Sequence, residues 1–171
     1  VGDRGMIKRT QIENLPEGFN YITAITKPQI ETLMAKGVIQ LELFDDEICE
    51  IEDSGIRYIL KRNPYRAEEI GNTRLSKLKS IEQFIEKKNL YLKEHPMAKI
   101  EFAARDVEKK LKGQKTDKWL RVKAEKRVIS LEQNDKVLRE VSVLDGCYVI
   151  KTNLSKDEAT KKTVHDRYKD L

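Results

Sequence analysis

The sequence of 171 residues predicts a mixed α+β fold, with strands and helices in an α/β layered arrangement. Three observations support this class. Short β-branched segments alternate with helical patterns over the first 40 residues, a long helical stretch follows Pro64, and β-branched segments bounded by turn residues precede a last helical pattern. With 39% hydrophobic residues, the chain is long enough to bury a core of its own.

The first 40 residues alternate between strand and helix patterns. The predicted elements are a strand end at 1–3, a short helix at 8–15, a buried strand at 19–26 and a helix from Pro28 to a cap at Gly37. Proline favours the first turn of a helix, and glycine favours its C-terminal end. This strand–helix–strand–helix order favours a layered fold.

Residues 41–61 predict a β-hairpin. Apolar and acidic residues alternate over 41–52, and 56–61 form the expected antiparallel partner across a turn at 53–55. The carboxylates of this region are Glu42, Asp45, Asp46, Glu47, Glu50, Glu52 and Asp53. They lack calcium-loop spacing, so a solvated strand face explains them better than a catalytic site does.

Two helices joined by a tight turn are predicted over residues 64–112. The first apolar seam contains Leu78, Ile81, Ile85 and Leu92, and the second contains Met97, Ile100, Ala104, Val107 and Leu111. Steps of three and four residues place each set on one helix face. His95 and Pro96 break the pattern between the seams, so we expect the two helices to pack antiparallel.

Four strands and a final helix are predicted in the remainder of the chain. The strands cover residues 119–124, 127–133, 137–143 and 147–153. The helix is expected to begin at Ser155, because Ser155 and Glu158 have the spacing of a capping box. Val164, Tyr168 and Leu171 then share one of its faces.

Composition disfavours several protein classes. No stretch approaches the roughly 18 uninterrupted apolar residues of a membrane span, and no signal-peptide pattern is present, so we expect no membrane segment. Cys49 and Cys147 form no Cys-x-x-Cys pair, and only His95 and His165 offer imidazole ligands. A disulfide framework and a zinc knuckle are therefore disfavoured, and the histidines are interpreted as a turn residue and a surface helix residue.

The net charge of +5 is unevenly distributed along the chain. Residues 1–56 carry −6, residues 57–127 carry +11 and residues 128–171 carry 0. A concentrated positive region attracts polyanions, whereas an exposed Lys-rich helix surface explains the same charge without a partner.

Two features have both a chemical and a structural interpretation. Asp3 follows a predicted strand, where a carboxylate is well placed to hold a divalent cation, but Asp-x-Gly is also a common turn. Trp119 lies among the basic residues Lys115, Lys118, Arg121 and Lys123. Such interleaving suits nucleic acid, but a core position is favoured for this single Trp, as for Tyr58, Tyr65 and Tyr91.

Five ordered segments together carry a family resemblance. They are Gly-Asp-Arg-Gly-Met at 2–6, Phe-Asn-Tyr-Ile at 19–22, Arg-Tyr-Ile-Leu at 57–60 with Arg-Asn-Pro at 62–64, Leu-Asp-Gly-Cys-Tyr-Val-Ile-Lys-Thr-Asn-Leu at 144–154, and Tyr-Lys-Asp-Leu at 168–171. In this order, and over nearly the whole chain, they resemble DDE transposases of bacterial insertion sequences.

The resemblance implies part of an RNase H-like catalytic core whose three carboxylates bind Mg²⁺ or Mn²⁺, with a strand-rich insertion before the final Glu. Residues 1–40 would belong to the core, 41–143 to the insertion with its helical hairpin at 64–112, and 144–171 to the returning core. Asp3 corresponds to the second catalytic Asp and a metal ligand. The first Asp would precede Val1, and the Glu would follow Leu171 by four residues.

The resemblance also implies the reaction and the partners. Metal ions held by the three carboxylates would activate water or a 3′-hydroxyl for DNA cleavage and strand transfer. The substrate would be double-stranded DNA at the transposon ends and the target. The enzyme would be cytoplasmic and nucleoid-associated, and would pair as a homodimer in a synaptic complex. The family motif Tyr-x-x-Arg-x-x-x-Glu would begin at Tyr168, with Leu171 at the Arg position. The expected DNA contacts are Tyr168, Arg62, Arg66, Lys118, Arg121 and Lys123.

Two functions follow from these observations. The first is a portion of a metal-dependent DNA transposase that is catalytically silent as this chain alone, because it holds one of the three carboxylates. The alternative is a non-catalytic nucleic-acid-binding or assembly module with a basic helical hairpin.

Overall fold

The computed structural model describes residues 1–2, 9–16, 18–45 and 47–171, which form two compact units. Unit 1 consists of Val1–Ala67 and Gly146–Leu171, and unit 2 of Glu68–Asp145. In chain order, the helices and strands are α1 (Arg9–Glu13), β1 (Ile22–Ala24), α2 (Lys27–Ala35), β2 (Cys49–Asp53), β3 (Ile56–Arg62), α3 (Pro64–Glu94), α4 (Ile100–Gln114), β4 (Leu120–Glu125), β5 (Val128–Gln133), α5 (Asp135–Ser142), β6 (Cys147–Thr152) and α6 (Lys161–Lys169). The described residues thus have the predicted mixed α+β class.

Unit 1 is built on a four-stranded antiparallel sheet with the order β1-β6-β3-β2. Strand β6 lies in its interior, where Thr152 is opposite Ile22 of β1 on one side and Arg57 of β3 on the other. The division into units groups the β2–β3 hairpin with residues 1–40. The assignment of residues 41–143 to an insertion stays a prediction.

One core cluster of unit 1 lies between this sheet and α6. Residues directly opposite each other on neighbouring antiparallel strands share a face, which places Ile59 and Ile150 side by side. The buried cluster contains Ile22, Ile59, Ile150, Ala159 and Val164. Helix α6 contacts β1, β3 and β6, so one helix covers three adjacent strands.

The predicted hairpin is confirmed at its turn and shortened at its start. Ser54 and Gly55 adopt left-handed backbone angles, with φ of 52° and 73°, which join the two strands tightly. The strand predicted over 41–52 is wrong before Cys49, and Leu41–Leu43 is a single 3-10 turn. The described ladder between β2 and β3 begins with the Cys49–Leu60 pair, and before it the Arg62 N–H donates to the Asp45 carbonyl at 2.8 Å.

The elements near the start of the chain are close to expectation but shorter. The predicted strand over 19–26 is reduced to β1, and the helix predicted from Pro28 is α2. Thr26 and Gln29 form a capping box at its start, and Gly37 has a φ of 73° after its end.

Unit 2 contains the predicted antiparallel helical hairpin. Lys77 donates to the carbonyl of Gln114 at 3.0 Å, and the Lys88 ammonium lies 2.5 Å from the Asp106 carboxylate. Because later residues of α3 meet earlier residues of α4, the helices run in opposite directions. The buried core of unit 2 contains Ile81, Ile85, Leu92, Ala103, Val107, Leu111, Trp119, Leu120 and Ile129.

This core corrects several predicted positions. Trp119 is buried as expected, but Met97 is 94% exposed because the second seam begins only with α4. Tyr58 is buried in β3, whereas Tyr65 and Tyr91 are exposed on α3, so the core interpretation is wrong for these two.

The β4–β5 hairpin is attached to α3 by polar side chains. The Asn89 amide group accepts from the Ile129 N–H at 2.8 Å and donates to the Ile129 carbonyl at 2.9 Å, which satisfies both backbone groups of Ile129 on the edge of β5. Arg127 donates to the carbonyls of Leu92 and His95, at the C-terminal end of α3.

The strand predicted over 137–143 is wrong, because these residues belong to α5. The Asn134 side chain accepts from the Val137 N–H at 3.1 Å and begins the helix as its N-cap. Val137, Leu138 and Val141 then pack together against the core of unit 2, a helical spacing that their β-branched composition concealed.

Candidate functional site

Asp3, the expected catalytic carboxylate, lies outside the described residues. Its neighbour Gly2 donates its N–H to the Ile22 carbonyl at 2.9 Å and forms a parallel bridge with Thr23. Gly2 therefore lies on the side of β1 that is opposite β6. Helix α6 packs on this same sheet, against β1, β3 and β6.

A complete metal site is not formed by the part of the chain that the structure describes. Within it, no three His, Cys, Asp or Glu side chains are grouped so as to hold a metal ion. Glu50, from the acidic run near the hairpin, is committed to a structural ion pair instead. Its carboxylate lies 3.0 Å from Nη2 of Arg57 and 3.7 Å from Nζ of Lys156. The interpretation of this run as a solvated face is therefore wrong for Glu50.

Arg57 joins the sheet to the segment that leads into α6. Its side chain is 3% exposed, and its Nε and Nη2 donate to the two carboxylate oxygens of Glu50 at 3.1 and 3.0 Å. Its Nη1 donates to the carbonyls of Leu154, Ser155 and Ala159 at 2.8 to 2.9 Å. One guanidinium thus fixes three points of the turn between β6 and α6, which we call the Arg57 clamp.

The electrostatics of Glu50 favour its charged form. Burial alone would raise the pKa of this carboxyl, but hydrogen bonding and charge from Arg57, together with Lys156, outweigh it and lower the pKa below its usual value. Glu50 is therefore a carboxylate under ordinary conditions. Its charge compensates the buried guanidinium.

The turn inside the Arg57 clamp explains why the last helix begins later than predicted. Ser155 and Glu158 do form the expected reciprocal contacts, with the Glu158 carboxylate accepting from the Ser155 N–H and hydroxyl at 2.8 Å. They close an isolated turn. Helix α6 begins at Lys161, where the Thr160 hydroxyl accepts from the Thr163 N–H at 3.1 Å.

A buried Tyr–His pair fixes α6 on the sheet. His165 is 3% exposed, so its interpretation as a surface residue is wrong. Its Nε2 lies 2.7 Å from the Tyr148 hydroxyl, and its Nδ1 lies 3.1 Å from the Asp166 carboxylate. Because a carboxylate only accepts, Nδ1 carries the proton, and in the neutral ring Nε2 accepts from Tyr148.

The hydroxyl of Tyr148 remains a donor over the physiological range. Burial, followed by the nearby Tyr168, raises the pKa of Tyr148 to about 12. Tyr168 itself is half-buried on α6 and packs against the core cluster of unit 1. Part of this expected DNA contact therefore serves the packing of α6. Leu171, expected on the same face, is exposed.

The other expected DNA contacts belong to two separate groups. In unit 1, Arg62 ends β3 and Arg66 lies in the first turn of α3, where its N–H donates to the Asn63 side chain at 3.1 Å. Both side chains are exposed. They lie on either side of the residue that begins α3.

In unit 2, Lys118 precedes β4, and Arg121 and Lys123 are exposed residues of that strand. Lys123 forms an ion pair with Glu132 at 3.3 Å. Of these three cations, Lys123 is the one whose charge is already compensated by a neighbouring strand.

Sequence reasoning missed the Arg57 clamp, His165 and Asn89. Arg57 and His165 carry no local signal, because an arginine at the start of an amphipathic strand and a histidine on a charged helix are usually exposed. Asn89, in contrast, did carry a local signal in the sequence. It is a poor helix former next to Lys88, at the point where the first apolar seam is interrupted.

Helices of the described chain include none that is both long and apolar enough to cross a membrane. Comparison with protein-family models, with curated proteins and with solved structures finds no match to this chain.

Proposed function

We propose that this chain is part of a metal-dependent DNA transposase of the DDE class, in which Asp3 is one of the metal ligands. In this proposal, the substrate is double-stranded DNA, the metal is Mg²⁺ or Mn²⁺, and the enzyme is a nucleoid-associated cytoplasmic protein that acts as a homodimer. A longer protein supplies the other two carboxylates. The 171 residues alone do not cleave DNA.

The observation that carries the proposal is that Gly2 and α6 both contact the sheet that contains β1 and β6. Gly2 bridges β1 in parallel, β1 pairs with β6, and α6 packs on both strands. The resemblance requires a catalytic Asp directly after a strand and a catalytic Glu beyond Tyr168, both at one sheet. The bridge from Gly2 to β1 and the packing of α6 on β1 and β6 support this proposal, because they bring the neighbour of Asp3 and the helix of Tyr168 to the same sheet.

The rigidity of α6 supports the same proposal. A metal ligand carried by a helix must be held within a fraction of an ångström of its productive position. The Arg57 clamp fixes the turn before α6, and the Tyr148–His165 hydrogen bond fixes the helix itself.

The test is an Asp3→Ala substitution in the longer protein, with metal-dependent cleavage and DNA binding measured separately. We expect cleavage and strand transfer to be abolished, because one metal ligand is lost, and DNA binding to be nearly unchanged. Lys126→Ala, a change at the tip of the β4–β5 hairpin, is the control for the handling of variant protein. Unchanged cleavage by Asp3→Ala would refute the proposal.

A second candidate is a non-catalytic nucleic-acid-binding or assembly module. It is favoured by exposed cations of unit 2, such as Lys118 and Arg121. The coding sequence on either side separates the two functions: an upstream Asp motif and a Glu codon four positions after Leu171 support the transposase. Flanks without these residues support the binding module.

A further inference from the structure

Five exposed basic residues follow one another at every third position between the end of α4 and the start of β4. They are Lys109, Lys112, Lys115, Lys118 and Arg121, which we call the α4–β4 basic surface. Residues 105–123 contain eight basic and three acidic residues, a net charge of +5 that equals the net charge of the whole chain. The positive charge of the protein is therefore concentrated at this corner of unit 2.

In the part of the chain that the structure describes, the cations of this surface form no ion pair, whereas several other cations do. Arg57, Arg74, Lys88 and Lys123 each lie within 3.3 Å of a carboxylate. Within residues 9–16, 18–45 and 47–171, which include all of unit 2, no carboxylate forms an ion pair with any member of the α4–β4 basic surface. The charge of Lys109 also acts on the Asp106 carboxylate, where it adds to the effect of Lys88 in lowering the pKa, and the other four charges are available to an external anion.

Two members of the surface face a common groove. Lys112 and Arg121 line a groove of about 390 Å³ between α4 and β4, together with the carboxylates of Glu108 and Asp117. Glu108 and Asp117 are the acidic groups nearest to the basic surface in that groove. The charges that line the groove therefore balance, and the positive excess of the basic surface comes from Lys109, Lys115 and Lys118 outside it.

The backbone at Lys115 is the second observation. Lys115 follows α4 with a φ of 57°, in the left-handed region where glycine is strongly preferred after a helix. A residue with a Cβ is disfavoured in this conformation, and a glycine would form the same turn more easily. The exposed lysine therefore lowers the stability of this turn. The dipole of α4 favours cations in the last turn of that helix, but it does not stabilise Lys118 and Arg121, which lie beyond it.

We propose that the α4–β4 basic surface binds the phosphate backbone of double-stranded DNA, with Lys115 as its central contact. This inference rests on the proposed function for the identity of the polyanion. The contacts are made to phosphates, so binding is independent of base sequence and weakens as salt increases.

The test compares Lys115→Gly with Lys126→Gly. Lys126 is also an exposed lysine of unit 2 with a left-handed backbone, at a φ of 48°, but it lies at the tip of the β4–β5 hairpin. Both substitutions remove one positive charge and relieve the same kind of backbone strain, so both should raise the melting temperature. Only Lys115→Gly should weaken DNA binding.

Binding of the 171-residue chain is measured by fluorescence anisotropy with a labelled duplex of mixed sequence, in EDTA and over a series of NaCl concentrations. We expect Lys115→Gly to bind about 5- to 10-fold more weakly near 0.1 M salt and to reduce the slope of log K against log salt by about one. Lys126→Gly should bind within about two-fold of the unaltered chain. Arg121→Gln should resemble Lys115→Gly.

Three results would overturn the inference. One is equal weakening by Lys115→Gly and Lys126→Gly, which would indicate a general effect of net charge. Another is the absence of salt-dependent binding by the unaltered chain. The third is binding to phosphatidylserine vesicles that the basic-surface variants lose while DNA binding persists. The binding assay involves no metal and no cleavage. None of these three results would therefore decide the proposed function, which the Asp3 cleavage test addresses separately.

Discussion

The Arg57 clamp yields the sharpest stability prediction, tested by an Arg57→Met substitution. Methionine retains much of the apolar length of the side chain but removes every donor. The carboxylate of Glu50 loses its bidentate partner, and the carbonyls of Leu154, Ser155 and Ala159 lose their shared donor. Lys156, at 3.7 Å from Glu50, remains as a weaker and more exposed partner.

The expected loss is large because the pair is buried. The side chains of Arg57 and Glu50 are 3% and 11% exposed, and breaking a buried ion pair on one side costs about 3–5 kcal/mol. In the double variant Arg57→Met/Glu50→Met the uncompensated carboxylate is gone, but the buried carbonyl of Ala159 still lacks its donor. We expect that double variant to remain destabilised by about 1–3 kcal/mol.

Urea unfolding followed by far-ultraviolet circular dichroism measures the free energy of unfolding, and hydrogen exchange of peptides from α6 locates the loss. Arg167→Met is the matched control, because Arg167 is an exposed arginine on α6 and should change stability by no more than about 0.5–1 kcal/mol. A loss below about 1 kcal/mol for Arg57→Met, or α6 protection equal to that of the control, would refute the Arg57 clamp.

Two further predictions concern the backbone and the pH dependence of unit 1. Gly146→Ala should lower the free energy of unfolding in urea by about 2–4 kcal/mol, because Gly146 has a φ of 75° and an added Cβ would lie 2.3 Å from the Asn63 carbonyl oxygen. Gly71→Ala is the control, because an added Cβ there has nothing within 4 Å, and it should raise the free energy of unfolding by about 0.5–1 kcal/mol. Equal effects of these two substitutions would contradict the packing at Gly146. Because the pKa of Glu50 is lowered in the folded state, its ionised form stabilises the fold. This stabilisation is fully present above the ordinary pKa of 4.5 and is lost as the pH falls through the folded-state pKa. The difference in unfolding free energy between the unaltered chain and Glu50→Gln should therefore narrow below pH 4.5. A difference that is constant with pH would show that the carboxylate charge is not what stabilises the Arg57 clamp.

Local patterns predicted the elements whose partners are close in sequence. The α3–α4 hairpin followed from apolar seams on both sides of His95, and the β2–β3 hairpin followed from its turn. Helical spacing and a tight turn are local properties, so periodicity alone specifies them. Residues 137–143 show the limit, because their β-branched composition outweighed the Asn134 cap that makes them helical.

Long-range contacts determine what sequence patterns did not predict. Arg57 meets the turn before α6 about 100 residues later in the chain, and His165 is buried because Tyr148 supplies its partner. Neither burial follows from the neighbours of the residue in sequence, since exposed positions have the same composition. The sequence patterns also did not predict how the expected DNA contacts are divided. Arg62, Arg66 and Tyr168 belong to unit 1, whereas Lys118, Arg121 and Lys123 belong to unit 2.

The central claim is that Asp3 binds the catalytic metal of a DNA transposase, and Asp3→Cys in the longer protein tests it most directly. Mg²⁺ requires oxygen ligands, whereas Mn²⁺ tolerates a thiolate. We therefore predict that Asp3→Cys abolishes DNA cleavage in Mg²⁺ and partly restores it in Mn²⁺, while Asp3→Ala is inactive in both. Cleavage by Asp3→Cys that is equally retained or equally lost in the two metals would contradict the assignment of Asp3 as a metal ligand.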